Sequence, residues 1–244
     1  MQRARPPAVA GTFYPGDPAD LREEVSRLLA AAKPGRAPKA LIAPHAGYIY
    51  SGPIAASAFR RAPKVDRVVL LGPSHYAWLD GVALPEAQAF ATPLGEVPID
   101  APADLPRNRA AHEREHSLEV EVPFLQVAIG PGFRLVPLAV GSGGADVLDR
   151  LWGGPETLIV VSSDLSHYLS YAAAKRADAA TAEEIVALRA VESDSACGAA
   201  PVNALLAVAR KRKLTAELLD LRNSGDTAGD KSRVVGYGAF AFYE

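Results

Sequence analysis

The sequence predicts a single α/β domain over residues 1–244, with a mixed, mostly parallel sheet and helices on both faces. Three observations predict it. Short apolar runs of strand length recur at Lys39-Ala-Leu-Ile-Ala, Asp66-Arg-Val-Val-Leu-Leu and Thr157-Leu-Ile-Val-Val, the pattern of strands buried on both faces. Helical segments separate such runs by lengths that suit parallel crossovers. A chain of 244 residues with 49% hydrophobic composition buries a sizeable core, and no repeat or long linker divides it.

The elements follow in order. Asp17-Pro-Ala-Asp opens a helix with a cap and a proline at its first position, and Leu21, Val25, Leu28 and Leu29 share a face. Lys33-Pro34-Gly35 ends it. A strand at 39–43, a loop at His45 and a helix begun by Ser51-Gly-Pro lead to a strand from Arg67 to Leu71, which predicts a parallel βαβ unit with these two strands as neighbours. Between Asp80 and Asp100 the proline-broken segments suit edge strands. His116-Ser-Leu-Glu-Val-Glu-Val-Pro reads as a helix capped by Ser117, with Pro123 falling inside it. Arg134 to Gly141 reads as a strand, Ala145 to Trp152 as a helix, and 157–161 as a strand. Helices over about Ala172–Ala190 and Pro201–Lys211 come next. The segments from Ala216 and from Arg233 close the chain as an antiparallel pair.

The formal net charge of -2 gives no electrostatic ground for a nucleic-acid or membrane partner. Arg210-Lys211-Arg212-Lys213 reads as the charged last turn of a helix. No apolar stretch reaches the roughly 18 residues that span a bilayer, and no apolar region follows the basic start. A cytoplasmic location is the expectation. The single cysteine, Cys197, excludes an internal disulfide framework. On its own it reads as a small buried apolar residue, a metal ligand or a nucleophile.

Three of the five histidines, His45, His75 and His167, fall a few residues beyond the apolar runs. Ligands of open α/β sheets collect outside the carboxyl ends of the strands, and imidazole is both a metal ligand and a proton carrier near neutral pH. Each ring either fastens a loop or joins a shared site. Asp164 and His167 form an Asp-x-x-His pair in which the carboxylate either orients the imidazole or caps a helix. His112-Glu-Arg-Glu-His116 is not the zinc-protease motif, because the glutamate does not directly follow the first histidine. His112 is expected in a solvated loop, with His116, Glu119 and Glu121 as wall residues of the cleft. No dinucleotide fingerprint, phosphate-binding loop or serine-nucleophile elbow is present in the sequence.

Taken together, Ala10-Gly-Thr-Phe-Tyr-Pro, Ala43-Pro-His-Ala-Gly-Tyr-Ile-Tyr-Ser-Gly, Gly72-Pro-Ser-His, Glu115-His-Ser-Leu-Glu, Ser162-Ser-Asp-Leu-Ser-His, Ala196-Cys-Gly-Ala-Ala-Pro and Asn223-Ser-Gly-Asp run nearly end to end along the chain. In these segments the chain resembles the Memo family, called AmmeMemoRadiSam system protein B in microbes. The resemblance implies the fold of the class III extradiol dioxygenases, with His45, His75 and Cys197 as metal ligands and Asp164 and His167 in the same pocket. Cys197 lies just before a proline-started helix, where a helix N-terminus favours thiolate. The related dioxygenases use a carboxylate where this chain has Cys197, so ring cleavage does not follow from the fold.

The expected function is a non-heme metal-dependent redox enzyme. Fe(II) is the first choice and Cu or Zn the alternatives, His167 oriented by Asp164 is the acid or base, and His116 and Glu119 contact substrate. A second expectation is a binding or adaptor module that takes a peptide or small molecule without turnover. A third is hydrolysis by zinc-bound water. The resemblance also implies a radical-SAM system partner.

Overall fold

A computed structural model describes residues 2–244. Strand β1 (Gln2–Arg5) precedes helix α1 (Pro18–Ala31), where Asp17 Oδ1 accepts from the N–H groups of Ala19 and Asp20. Strand β2 (Ala40–Ala43), helix α2 (Tyr48–Phe59) and strand β3 (Arg67–Pro73) follow. Helix α2 starts at Tyr48, ahead of the expected Ser51, so Pro53 lies within it. The excursion after β3 contains β4 (Val82–Ala83), β5 (Ala87–Thr92) and β6 (Gly95–Pro98). Helix α3 (Ala110–Glu113) and a 3-10 turn over Glu119–Glu121 precede α4 (Val122–Ile129). The 3-10 turn removes the proline conflict, because it leaves Pro123 in the first turn of α4, where its missing N–H has no helical partner to lose.

Strand β7 (Arg134–Val140), helix α5 (Ala145–Leu151) and strand β8 (Thr157–Ser162) resume the alternation. The short strand β9 (His167–Leu169) leads into α6 (Tyr171–Val186), which ends four residues before the expected Ala190, near Leu188 with its φ of 56°. Helix α7 (Ala199–Lys211), strand β10 (Thr215–Asn223), helix α8 (Ser224–Thr227) and strand β11 (Val234–Tyr243) complete the chain. The basic end of α7 is tied to α5, because Lys211 and Arg212 both donate to Asp149.

The main sheet runs β10-β11-β2-β8-β3-β7-β4, with β9 paired to β11. Its four central strands, β2, β8, β3 and β7, are parallel, and β11, β10 and β4 are antiparallel additions. One expectation is corrected here: β2 and β3 are not neighbours. The fully buried β8 pairs with both, since an apolar strand of this kind is most stable at the sheet's centre, with helices over each face. Successive side chains of these strands point to opposite faces. Leu41, Leu70 and Val160 pack with α1, α2 and α4, while Ile42, Leu71 and Val161 pack with α5, α6 and α7. Strands β1, β5 and β6 form a separate three-stranded sheet.

Candidate metal centre

His45 and His75 each sit two residues beyond a parallel strand, at the carboxyl edge of the sheet. His116 reaches the same point from the loop between α3 and the 3-10 turn. One ligand atom from each of these three residues lies within 4.8 Å of the others. The His75 and His116 rings stack at 4.8 Å with an interplanar angle of 11°, and His45 meets them edge-on at 5.3 and 5.5 Å. His167, the third strand-end histidine, lies outside this group: it begins β9 and turns toward β11. His116, expected at the cleft wall, stands among the clustered rings.

Hydrogen bonds orient two of the rings. His75 Nδ1 lies 2.9 Å from Glu115 Oε1, and the His75 backbone N–H donates to Glu115 Oε2 at 2.6 Å. Burial would raise the Glu115 carboxyl, but the His75 ring and the N–H groups of Ser117 and His75 outweigh it and hold the carboxyl at about 2. An ionised carboxylate only accepts, so His75 carries its proton on Nδ1 and keeps the Nε2 lone pair free. His45 places Nδ1 2.7 Å from Ser162 Oγ and donates its backbone N–H to Asp164 Oδ1 at 2.8 Å. Burial holds His45 and His116 below the ordinary imidazole range, and the adjacent rings add to the effect at His45. Both are therefore neutral near pH 7, the form that binds a metal ion.

Cys197 adjoins this centre, with Sγ 3.3 Å from His45 Nε2. Metal–sulfur and metal–nitrogen bonds of about 2.3 and 2.0 Å give a tetrahedral edge of roughly 3.5 Å, close to that separation. The donors present therefore fit a metal ion: three converging imidazoles, His45 and His116 held neutral by burial, with a thiol 3.3 Å from His45 Nε2. Burial pushes the Cys197 thiol up to about 12, Asp164 adds to the shift, and the N–H groups of Asp164 and Gly198 only partly offset it. Without a metal the sulfur keeps its proton, because desolvation outweighs the nearby helix N-terminus.

A cleft of about 570 Å³ opens beside the centre, lined in part by His116, Asp164, His167, Tyr50, Tyr168 and Arg233. Asp164 and His167 both reach it, but not as a bonded pair. Asp164 is held by His45, while His167 Nδ1 lies 2.8 Å from the Leu165 carbonyl, to which it must donate. Burial raises Asp164 to about 7, against the N–H groups of His45 and Ala46 and the His75 ring. Burial also lowers His167, against the Leu165 carbonyl.

Two further expectations are corrected. Glu119 is fully buried and accepts from Ala8 N–H, Val9 N–H, Tyr14 OH and Arg5, so it fastens the N-terminal segment and does not face substrate. His112 is buried on α3, with Nε2 2.9 Å from the Ala83 carbonyl, and is no solvated loop residue. Glu115 and Ser162 were not singled out by sequence patterning. Their only signals were a carboxylate directly before His116 and a hydroxyl ending an otherwise apolar strand.

The fold and site define a single α/β domain with a histidine cluster suited to a metal ion at the carboxyl edge of its parallel strands. A family profile described as Memo-like protein matches residues 5–241. The chain is 35% identical to a MEMO1 family protein of Methanopyrus kandleri, over 98% of each chain. It is 36% identical to one of Aquifex aeolicus, over 96% of this chain and 97% of the relative. A relative from Sulfolobus acidocaldarius is 34% identical over the same shares. The chain belongs to the Memo family.

Proposed function

We propose that this protein is a non-heme metal-dependent redox enzyme whose centre is built from His45, His75 and His116 with Cys197 beside them. The observation that carries the reading is the convergence of three imidazoles within 4.8 Å, two of them held neutral chiefly by burial. This donor set suits Fe(II) first, with Cu or Zn as alternatives. A bound redox-active ion would supply one-electron chemistry beside the cleft. His45 and His75 supply oriented ring nitrogens, and His116 closes the third side. His167, with Nδ1 donating to Leu165, presents Nε2 as a proton acceptor, and Asp164 near 7 is suited to hold or release a proton at its carboxyl.

The test is the metal content of protein purified without oxygen or chelator, alongside His45→Ala, His75→Ala and Cys197→Ala. Wild type should hold close to one ion per chain and the variants much less. Equal, trace metal in all four overturns the reading. The exposed Ile49, Tyr50 and Tyr168 at the cleft support a second reading, a module that binds a peptide or small molecule without turnover. Ligand binding that is unchanged by metal, with no oxygen consumption, would favour it.

A further inference from the structure

Behind His45 lies a buried group of four residues whose protons can be counted. Ser162 Oγ has three close partners: the Ser117 carbonyl at 2.6 Å, Glu121 Oε1 at 2.7 Å and His45 Nδ1 at 2.7 Å. Ser117, Glu121 and Ser162 are fully buried and His45 nearly so, so no solvent intervenes. A hydroxyl has one proton to give and two lone pairs to fill. The carbonyl can only accept, so it takes the serine proton. The two remaining partners must both donate, or each would set a lone pair against a lone pair at 2.7 Å.

We infer that Glu121 is a neutral carboxylic acid which, through Ser162, locks His45 in the Nδ1–H form and so turns the Nε2 lone pair toward Cys197 and the other rings. Glu121 and Ser162 are positioning residues; neither lines the cleft. The far oxygen supports the assignment. Glu121 Oε2 is buried with no hydrogen-bond partner, which is tolerable for the carbonyl oxygen of an acid and very costly for half of a carboxylate. Burial also drives the Glu121 carboxyl well above its ordinary value, against the Ser162 hydroxyl, with Asp164 adding to the rise. The arrangement differs in kind from that at His75, where a charged acceptor fixes the tautomer from outside. At His45 an uncharged donor does so from within, and adds no negative charge behind the ligand.

Two measurements on the metal-free chain test this without relying on the proposed function. Long-range proton–nitrogen correlation spectra should show His45 protonated on Nδ1 near pH 7. Infrared difference spectra of wild type against Glu121→Gln should show a protonated-carboxyl band present only in wild type. A His45 ring protonated on Nε2, or a carboxylate band in place of the acid band, overturns the inference. A third measurement, Co(II) titration, rests on His45 being a ligand. Glu121→Gln, whose amide still donates to Ser162, should bind within about threefold of wild type, whereas Ser162→Ala and Glu121→Leu should bind about 10- to 100-fold more weakly. Equal weakening by Glu121→Gln and Glu121→Leu counts against the donor role. Should Glu121→Gln fail to fold, the His45 spectrum of wild type still decides the matter.

Discussion

Arg5 does not line the cleft, yet its replacement by methionine is expected to damage the protein severely. The guanidinium is 3% exposed and spends its donors on Glu119, the Glu115 carbonyl and the His112 carbonyl, the last at 3.0 Å. It also lies over the Phe90 ring, 4.7 Å from the centroid. Arg5→Met leaves the Glu119 charge buried without a counter-ion, a loss of about 3–5 kcal/mol. Two buried carbonyls lose their donors as well, at about 1–3 kcal/mol each. These losses share one network and do not simply add, so the expected cost is about 5 kcal/mol. For a chain of this size that is a fall in Tm of roughly 10–20 °C. Equilibrium urea unfolding and thermal melts measure it. In a Glu119→Gln background the same substitution should cost at least about 2 kcal/mol less, because no charge is stranded. A loss below about 1 kcal/mol, or an identical loss in both backgrounds, would refute the reasoning. Metal affinity should fall too, since Arg5 holds the His112 and Glu115 carbonyls of the segment that leads into His116.

Glu115, held at about 2 against an ordinary value of 4.5, stabilises the fold above pH 4.5, and that contribution should vanish as pH falls toward 2. The difference amounts to about 3 kcal/mol at most, and acid unfolding of Glu115→Gln should be correspondingly flatter; an unchanged slope would speak against the hydrogen bonds that hold this carboxylate. In metal-free protein the Cys197 thiol, pushed up to about 12, should react with iodoacetamide very slowly at pH 8 and faster only as pH climbs toward 12, while rapid alkylation at pH 7 would contradict its burial. Gly72→Ala would bring a Cβ within 2.7 Å of Ser117 Oγ and 3.0 Å of Leu118 Cδ2, so a stability loss of about 1–3 kcal/mol is expected by denaturation, with weaker Co(II) binding because Ser117 supports Ser162. His167→Asn should leave metal content unchanged and reduce turnover once a substrate is known; loss of the metal instead would make His167 a ligand.

The layered α/β architecture was legible because the apolar strands announce themselves, and so were His45 and His75, whose loops leave the sheet by only two residues. His116 and His167 were harder to place. A distance from a strand end does not say which way the loop turns, and the chain after Ser162 bends back to pair β9 with β11. No strand end marks His116, which arrives within a long crossover. Glu119 and Glu121 alternate with apolar residues in a way that suits a cleft wall. Their burial depends on Arg5 and Ser162, which are 114 and 41 residues away in the chain. Strand order was misread for a related reason: β8 enters between β2 and β3 only after both have been made.

That insertion governs when the centre can exist. A ribosome-bound chain that stops before Thr157 already carries His45, His75 and His116, but has no strand to bridge β2 and β3 and neither Ser162 nor Cys197. Synthesis runs from the N-terminus, so β2 and β3 stay unjoined until β8 has been made. The three clustered histidines are made well before the serine that contacts His45 and the cysteine beside it, so the complete centre depends on the later part of the chain.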